Sequence, residues 1–455
     1  MRLLICIAFI LVALQTNAQK KPNMLIILGD DCTYSDLSIY GSENSITPNI
    51  DKLANEGLTF DNAFVSSSMC QPCRSELYTG LYPIRNGAAW NHSRSKDGTK
   101  SIVHHLKEQG YKVGIAGKVH VRPKEVFPFD MVSGLERSCV KETAEFSSDG
   151  ISKFMQSEEP FCLVIGLVSP HLPWTLGNPE NFPPEKIKLP SYIADTKETR
   201  EDYARYLAEI QVMDEKVGKI LEVLKQSGKE KETLVMFSSE QGSQMPGGKW
   251  TNWNTGVHTG LVFKWKGHIP QKVRTDALVQ WVDVLPTLLD IIGKPWQDYG
   301  LDGLSFKKVL EGKGKSDRQY AYFIHNNLPE GTAYPIRAVT DGKYHYVRNL
   351  MPESIYLQRY LMGNTENQHI WSSWMFHSNQ NEKAAAMINR YMHRPAEEFY
   401  DMENDPYNLN NISQENPELM EKMSVVLDKW MQEQGDPGSE MDTPKMLKKA
   451  RAGAL

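Results

Sequence analysis

Cys70 stands two residues before Pro72 and four before Arg74, at the predicted start of a short amphipathic helix. Proline suits the first turn of a helix, because its missing N–H would have no intrahelical partner there. Cys70 is therefore predicted at or just before the helix N-terminus, where free N–H groups and the helix dipole favour negative charge. Arg74 lies one turn further and can face the same point. A nucleophile in this position suits chemistry on an oxyanion.

Taken alone, the stretch leaves other roles open for Cys70: a core thiol, a disulfide partner of Cys73, or a Cys-x-x-Cys redox pair. Residues 70–80, however, resemble the signature of the formylglycine-dependent sulfatases, Cys-x-Pro-x-Arg followed by Leu-Tyr-Thr-Gly. In that family the cysteine is oxidised to an aldehyde, which hydrates to a gem-diol. One hydroxyl attacks sulfur, and loss of the second proton later expels sulfate. The resemblance implies a formylglycine at Cys70 and an enzyme that makes it.

Polar side chains follow two strongly apolar segments that are predicted to be strands of a parallel sheet. Asp30 and Asp31 follow the first segment, and Glu240 and Gln241 follow the second. Such strand ends bind ligands in open α/β sheets, although an Asp-Asp pair alone equally fits a solvated turn. The family places metal ligands at both positions but usually has Asp-Asn or Asp-His at the second. The resemblance implies one calcium ion, which accepts this all-oxygen set better than zinc does, near the nucleophile at Cys70.

Further residues match family motifs for sulfate binding and proton transfer. Lys118 and His120 stand in a Gly-Lys-x-His sequence, whose lysine binds sulfate and whose histidine bonds the nucleophile. His171 stands in Pro-His-x-Pro after another apolar strand, where the family has a histidine that protonates the leaving oxygen. Lys249 resembles the second sulfate-binding lysine. The Glu-x-Gly-x-Arg pattern expected downstream is absent, and His258 stands in place of its arginine.

Sugar recognition is predicted for a loop that mixes an aromatic ring with polar groups, although ordinary loops have similar compositions. Its candidate residues are Trp90, Asn91, His92 and Arg94. Trp174 and Trp253 are further candidates, and Trp250 and Asn254 could also form substrate walls.

Residues 1–18 have the pattern of a secretory signal, with Arg2 before an apolar run that is too short to span a bilayer. We therefore expect an exported protein, periplasmic or secreted, without a membrane span. The net charge of −5 argues against nucleic acid as the main partner. Cys32, Cys73, Cys139 and Cys162 are too scattered to indicate a disulfide framework.

The alternation of apolar strands and helices predicts an α/β protein. With the resemblance, which covers residues 22 to about 415, the expected fold is alkaline-phosphatase-like: a mixed, mostly parallel sheet between helices, then a small antiparallel α+β subdomain. We predict a catalytic domain over residues 19–316 and the subdomain over 317–455, and residues 279–293 resemble the helix that ends the catalytic domain.

The activity implied by the resemblance is hydrolysis of a sulfate ester on a carbohydrate. The stretch from Pro123 to Asp130 resembles the sulfamidase branch, which makes cleavage of N-sulfoglucosamine the first alternative. A phosphatase or phosphodiesterase of the same superfamily is the second, although its serine or threonine nucleophile and histidine metal ligands are not found in these motifs. A catalytically silent glycan-binding protein is the third.

Overall fold

The computed structural model describes residues 21–139, 145–363 and 369–455. The predicted signal peptide, residues 1–18, lies outside the described residues.

An eight-stranded sheet forms the centre of the protein. Its strands are β1 (Asn23–Gly29), β2 (Leu58–Phe64), β3 (Lys112–Gly117), β4 (Asp130–Val132), β5 (Phe161–Gly166), β6 (Thr233–Ser239), β7 (Leu261–Lys264) and β8 (Val273–Gln280). They lie in the order β4-β3-β5-β1-β6-β7-β2-β8. Strand β7 is antiparallel to β6 and β2, and the other neighbouring pairs are parallel.

The helices lie on both faces of this sheet and on the second sheet. They are α1 (Pro48–Asn55), α2 (Cys70–Thr79), α3 (Pro83–Asn86), α4 (Ile102–Lys107), α5 (Asp149–Met155), α6 (Lys197–Gln226), α7 (Asn254–Val257), α8 (Val284–Ile291), α9 (Lys307–Leu310), α10 (Arg359–Met362), α11 (Ile370–His377), α12 (Glu382–Met392), α13 (Pro417–Gln434) and α14 (Pro444–Arg451). Across the described ranges, no helix has both the length and the apolarity needed to cross a membrane.

Strand β1 shows why the sheet needs cover on both faces. Its side chains alternate, so that Met24, Ile26 and Leu28 pack into one core and Leu25 and Ile27 into another. The first core contains the apolar sides of α2, α4 and α8, and the second contains those of α1, α5 and α6. The continuous apolar sequence of β1 is therefore the consequence of burial on two sides, as predicted.

A second, smaller sheet confirms the antiparallel part of the predicted fold. Its strands are β9 (Ala321–His325), β10 (Ile336–Thr340), β11 (Tyr344–Asn349) and β12 (Glu397–Asp401), in the order β12-β11-β10-β9. Asp341, Gly342 and Lys343 connect β10 to β11, and Gly342 has a φ of 94°, which favours glycine. The domain boundary after residue 316 stays a prediction.

The prediction that residues 279–293 form one helix is wrong for the first part of this segment. Val279 and Gln280 are the last residues of β8, where they pair with Ala63 and Phe64 of β2. A short 3₁₀ turn over Trp281–Asp283 follows, and α8 begins only at Val284. The apolar run is uniform because both the strand end and the helix are buried, so hydrophobicity alone could not separate them.

Three buried histidines lead to a prediction about stability in acid. Burial lowers the pKa of His258, His325 and His345 to about 3, whereas the unfolded chain binds protons near the ordinary histidine pKa. Between these values the unfolded state binds more protons, so the free energy of unfolding falls as the pH decreases. We expect each histidine to contribute a loss of about 2 kcal/mol between pH 7 and pH 5.

The measurement is the change in denaturation midpoint between pH 7 and pH 5. His345→Gln should reduce that change, whatever it does to stability at pH 7, and replacement of the exposed His268 by Gln should not. An unaltered pH dependence in the His345 variant would contradict the prediction.

Candidate active site

The site lies at the carboxyl ends of β1 and β6, which are adjacent parallel strands. Asp30 and Asp31 follow β1, and Glu240 and Gln241 follow β6; all four are fully buried. The backbone N–H of Glu240 donates to the carbonyl of Gly29, which holds the two strand ends side by side. Asp31 has a φ of 56°, a left-handed conformation that aspartate tolerates better than most residues. Two segments about 200 residues apart in sequence are thus brought together, as predicted.

Cys70 is the first residue of α2, with Met69 as its N-cap. All ten residues of α2 are buried, and Cys70 itself is 1% exposed. The Cys70 Sγ atom lies 3.5 Å from Asp31 Oδ1 and 3.7 Å from Asp30 Oδ1. Burial, together with the Asp31 and Glu240 carboxylates, raises the pKa of the Cys70 thiol well above its ordinary value. The unmodified thiol is therefore poorly suited to act as a nucleophile, because the thiolate is the reactive form.

We call the carboxylates of Asp30, Asp31 and Glu240 the acidic group. Two lysines and an arginine contact it. Lys118 Nζ lies 2.5 Å from Asp30 Oδ2, and Lys249 Nζ lies 2.7 Å from Asp31 Oδ2 and 3.0 Å from Cys70 Sγ. Arg74 Nε donates to Glu240 Oε1 at 2.6 Å, and Arg74 Nη1 donates to the Lys118 carbonyl at 3.1 Å. Each of the three carboxylates is paired with one of these cations, so a divalent metal ion would add positive charge to the group.

Gly166 is needed for the close approach of these segments. A Cβ atom at Gly166, the last residue of β5, would lie 2.2 Å from the Lys118 carbonyl oxygen and 3.1 Å from Arg74 Nη1. Any side chain would therefore push Lys118 and Arg74 away from the acidic group.

The acidic group has the composition of a cation site. One ligand atom from each of Asp30, Asp31, Cys70 and Glu240 lies within 4.8 Å of the others. Burial raises the pKa of Glu240 to about 7 despite the Arg74 guanidinium, and the negative charge of Asp30 adds to the rise. A bound cation would remove this penalty. Gln241 completes the polar surroundings, with its Nε2 atom 3.1 Å from Cys70 Sγ and its Oε1 atom 3.2 Å from Cys73 Sγ.

The two candidate histidines differ in their protonation. Burial opposes the charged form of His171, but the Asp31 carboxylate, 3.4 Å from its Nε2 atom, raises its pKa above the ordinary value. Burial and the Lys118 charge instead hold the pKa of His120 well below that value. His171 can therefore carry a proton near neutral pH, whereas His120 is neutral and can accept one.

A cavity of about 490 Å³ opens above Cys70. Lys118, His120, His171 and Lys249 line its inner part, and Asn91 and His92 line a side wall. The structure therefore gathers five of the six predicted catalytic residues and two of the predicted sugar-binding residues around one space, and the sixth, Arg74, is buried beneath it. Its size fits the range of small-molecule sites.

The prediction of sugar binding is wrong for three tryptophans, because their rings are buried away from the cavity. Trp90 and Trp253 donate their indole N–H groups to carboxylates of the C-terminal part of the chain, Asp442 at 3.0 Å and Glu398 at 2.8 Å. Trp174 donates to the carbonyl of Pro170 at 3.0 Å. None of the three offers a ring face to a ligand.

Arg94 also does not line the cavity: it pairs with Asp97 outside it. Asn254 is buried and donates to the Pro406 carbonyl at 2.8 Å, whereas Trp250 lines the cavity.

Eight cavity residues were not predicted as site residues: Arg137, Ser138, Cys139, Leu172, Pro173, Gln244, Glu330 and Tyr360. Of these, Glu330 precedes β10 and Tyr360 lies in α10, after β11. Glu330 is 2% exposed and accepts hydrogen bonds from Asn91 Nδ2 and Trp250 Nε1, each at 2.6 Å. The Tyr360 ring stacks on Trp250 with ring centroids 6.3 Å apart. Neither residue belongs to a recognisable motif, so only the arrangement of the two sheets reveals them.

The cysteines are thiols rather than disulfides in the described ranges: Cys32, Cys70, Cys73, Cys139 and Cys162 are all free. Cys73 Sγ donates to the Cys70 carbonyl at 3.2 Å. Cys70 and Cys73 thus do not form the disulfide that one alternative required.

Comparisons with known proteins agree with this arrangement. Residues 22–294 match the protein family described as Sulfatase. An ulvan-active sulfatase of Formosa agariphila is 30% identical over 439 residues, which cover 92% of this chain and 82% of the relative. The N-sulphoglucosamine sulphohydrolase of Homo sapiens is 27% identical over 489 residues, which cover 95% and 94%.

A protein solved in complex with its substrate D-glucosamine-2-N,6-O-disulfate superposes with a TM-score of 0.69 at 19% identity. The match covers 92% of this chain and 100% of that one. At this identity the likeness supports the fold alone.

Proposed function

This chain belongs to the sulfatase family, a family of sulfuric ester hydrolases, and on that premise we propose an exported sulfatase that removes sulfate from a carbohydrate. We further propose that it uses a formylglycine made from Cys70 and one calcium ion. The observation that carries the proposal is the convergence of Lys249 Nζ, Asp31 and Asp30 on Cys70 Sγ, at distances of 3.0 to 3.7 Å, beneath the cavity.

Formylglycine would supply a hydroxyl nucleophile from its hydrated aldehyde, which the thiol cannot do. The surrounding residues are arranged to assist it. Lys249 Nζ contacts the Cys70 side chain directly and can stabilise negative charge there. His120 lines the same cavity and is neutral, so it can accept a hydrogen bond from the attacking group. Lys118 and Arg74 supply positive charge for the sulfuryl oxygens.

Calcium would be held by Asp30, Asp31, Glu240 and Gln241, where it would polarise a sulfate oxygen and orient the residue at position 70. Carboxylate and amide oxygens suit calcium, and Glu240 and Gln241 keep these donor types although they are longer than the usual family pair. The pairing of each carboxylate with a cation supports this proposal, because a divalent cation would then add positive charge that favours an anionic substrate.

His171 is proposed as the general acid, which leads to a prediction about leaving groups. A sugar alkoxide needs a proton in the transition state, whereas an activated aryl group leaves as a stable anion. We expect His171→Ala to lose about 10²- to 10⁴-fold in kcat/KM on a sulfated sugar and much less on an activated aryl sulfate. The measurement is the pair of rate ratios on one preparation.

Replacement of the exposed His393 by Ala is the control and should change neither rate. Equal losses on both substrates would mean that His171 only binds the sulfate group.

The sugar and the bond that is cleaved can be tested together. The human relative is an N-sulphoglucosamine sulphohydrolase and the bacterial relative is ulvan-active, so both N-sulfated and O-sulfated sugars are candidate substrates. The experiment is release of sulfate from a panel of singly sulfated sugars, including N-sulfoglucosamine. Turnover of one or more sugars supports the proposal. Absence of turnover by protein that carries formylglycine and calcium favours a silent glycan-binding protein instead.

Export is proposed from the signal-like pattern of residues 1–18. Production of the complete chain in a Gram-negative host should yield a processed protein outside the cytoplasm whose N-terminus lies close to Gln19. An unprocessed protein confined to the cytoplasm would refute this part of the proposal.

A further inference from the structure

One arginine, Arg137, lines the cavity. Four others lie around it, and we name them the basic cluster: Arg94, Arg122, Arg359 and Arg451. They come from distant parts of the sequence, since Arg94 and Arg122 precede β4 and the other two belong to α10 and α14. Arg122, Arg359 and Arg451 are exposed, whereas Arg94 is half-buried. None of these four side chains has a role in the proposed reaction.

Arg122 is fixed to the loop that forms one wall of the cavity. Its Nε atom donates to the Ser93 carbonyl at 2.6 Å, and its Nη2 atom donates to the carbonyl of His92. The side chain of His92 lines the cavity, and its ring centroid lies 5.5 Å from that of His120. Arg122 is therefore attached directly to a cavity residue.

Arg359 is fixed to another wall. Its guanidinium lies 4.8 Å from the centre of the Tyr360 ring, and its Nη2 atom donates to the Tyr360 hydroxyl at 2.9 Å. Tyr360 lines the cavity and is 40% exposed, so the ring and the guanidinium together form a surface at the edge of the opening.

Arg451 is the last residue of α14, and the segment that follows it contacts another arginine of the cluster. Gly453 lies against Arg94, since a Cβ atom at Gly453 would be 3.1 Å from Arg94 Nε. The electrostatics of His92 support the same placement: burial lowers its pKa, and the charges of Arg122, Lys249, Arg451 and Arg359 lower it further. Four cations thus act on His92, and the Glu330 carboxylate lies 3.7 Å from its Nε2 atom.

The exposed arginines of the cluster lack acidic partners. Over the described ranges, Arg122, Arg359 and Arg451 form no ion pair with a carboxylate, whereas Arg94 pairs with Asp97. Glu330, the carboxylate on the cavity wall, accepts hydrogen bonds from Asn91 and Trp250 instead. These arginines therefore give the opening a local positive charge, although the net charge of the chain is −5.

We propose that the basic cluster binds a second anionic group of the substrate, a carboxylate or a sulfate on the sugar next to the one that is desulfated. The inference rests on the proposed function, because it assumes that the first sulfate lies above Cys70. Arginine suits this task, since its planar guanidinium can donate two parallel hydrogen bonds to either group. The substrate class is thus an oligosaccharide with charges on adjacent sugars.

The test uses the matured enzyme and three disaccharides built on the sulfated sugar of the panel that is hydrolysed fastest. In the first, the neighbouring sugar is a uronate. In the second, that carboxyl group is reduced, so the neighbour is the neutral hexose. In the third, the neutral hexose carries a sulfate. We expect each anionic neighbour to raise kcat/KM about tenfold over the neutral one at low salt, chiefly through KM, and less at high salt.

Arg122→Gln, Arg359→Gln and Arg451→Gln should each reduce this preference, and the triple variant should bring it close to one. Lys225→Gln, an exposed change of the same charge on α6, is the matched control and should keep the preference. Equal kcat/KM values on all three disaccharides, or a preference that survives in the triple variant, would overturn the inference alone. An enzyme that hydrolyses no sugar of the panel would overturn the proposed function as well.

A difference between the two anionic disaccharides identifies the group that the cluster binds. A preference for the uronate assigns a carboxylate site, and a preference for the disulfated compound assigns a second sulfate site.

Discussion

Cys70→Ala should lower sulfatase turnover by about four orders of magnitude or more, because it removes the group from which the nucleophile is made. The fold should change little, since alanine fits the first turn of α2 and the thiol forms only weak hydrogen bonds to its neighbours. The measurement is the rate of sulfate release together with the denaturation midpoint of the same preparation.

Cys162→Ala is the matched control, because Cys162 is a buried free thiol in β5 and belongs to no part of the site. It should keep the activity at temperatures well below its denaturation midpoint. Mass spectrometry of the wild-type peptide around Cys70 should show the –CH2SH group converted to –CHO. Undiminished turnover by the Cys70 variant would refute the proposal that the nucleophile is made from Cys70.

Removal of the metal ion is expected to abolish activity, and calcium is expected to restore it. The ligand atoms of Asp30, Asp31 and Glu240 are buried and lie within 4.8 Å of one another, so one cation could contact all three carboxylates. Glu240→Gln should weaken calcium binding at least about tenfold, since the site loses one of its charges. The measurements are metal content, calcium affinity and activity after chelation.

Glu158→Gln, which changes an exposed carboxylate just before β5, should leave calcium affinity unaltered. Stoichiometric zinc in the purified protein would contradict the calcium assignment and favour the phosphatase-type alternative.

The elements that carry the reactive residues could be predicted because their sequences repeat a simple physical pattern. The strands before Asp30 and Glu240 are continuous apolar runs, as burial on both faces requires, and α6 has the apolar stripe of a helix that covers a sheet. The carboxyl ends of parallel strands share one edge, so the approach of residues 30 and 240 follows from strand type alone.

The walls of the cavity could not be predicted in the same way. Trp90 and Trp253 stand in polar loops, where an exposed ring is a reasonable expectation. Their burial depends on Asp442 and Glu398, which are distant in sequence and accept the indole N–H groups. Glu330 and Tyr360 reach the cavity only because of how the second sheet packs on the first, a relation that no local pattern encodes.

The depth of Cys70 bears on the order of events during biosynthesis. If Cys70 is converted to formylglycine, as proposed, the enzyme that oxidises it would have to take this segment into its own active site. In the folded protein, however, every residue of α2 is buried and Cys70 is 1% exposed. The proposed oxidation would therefore have to take place while the chain is still unfolded. Once β6 and β8 have joined the sheet around α2, such an enzyme would have no access to an unmodified Cys70 thiol. The active fraction of a preparation is then decided by a competition between two rates, folding and oxidation.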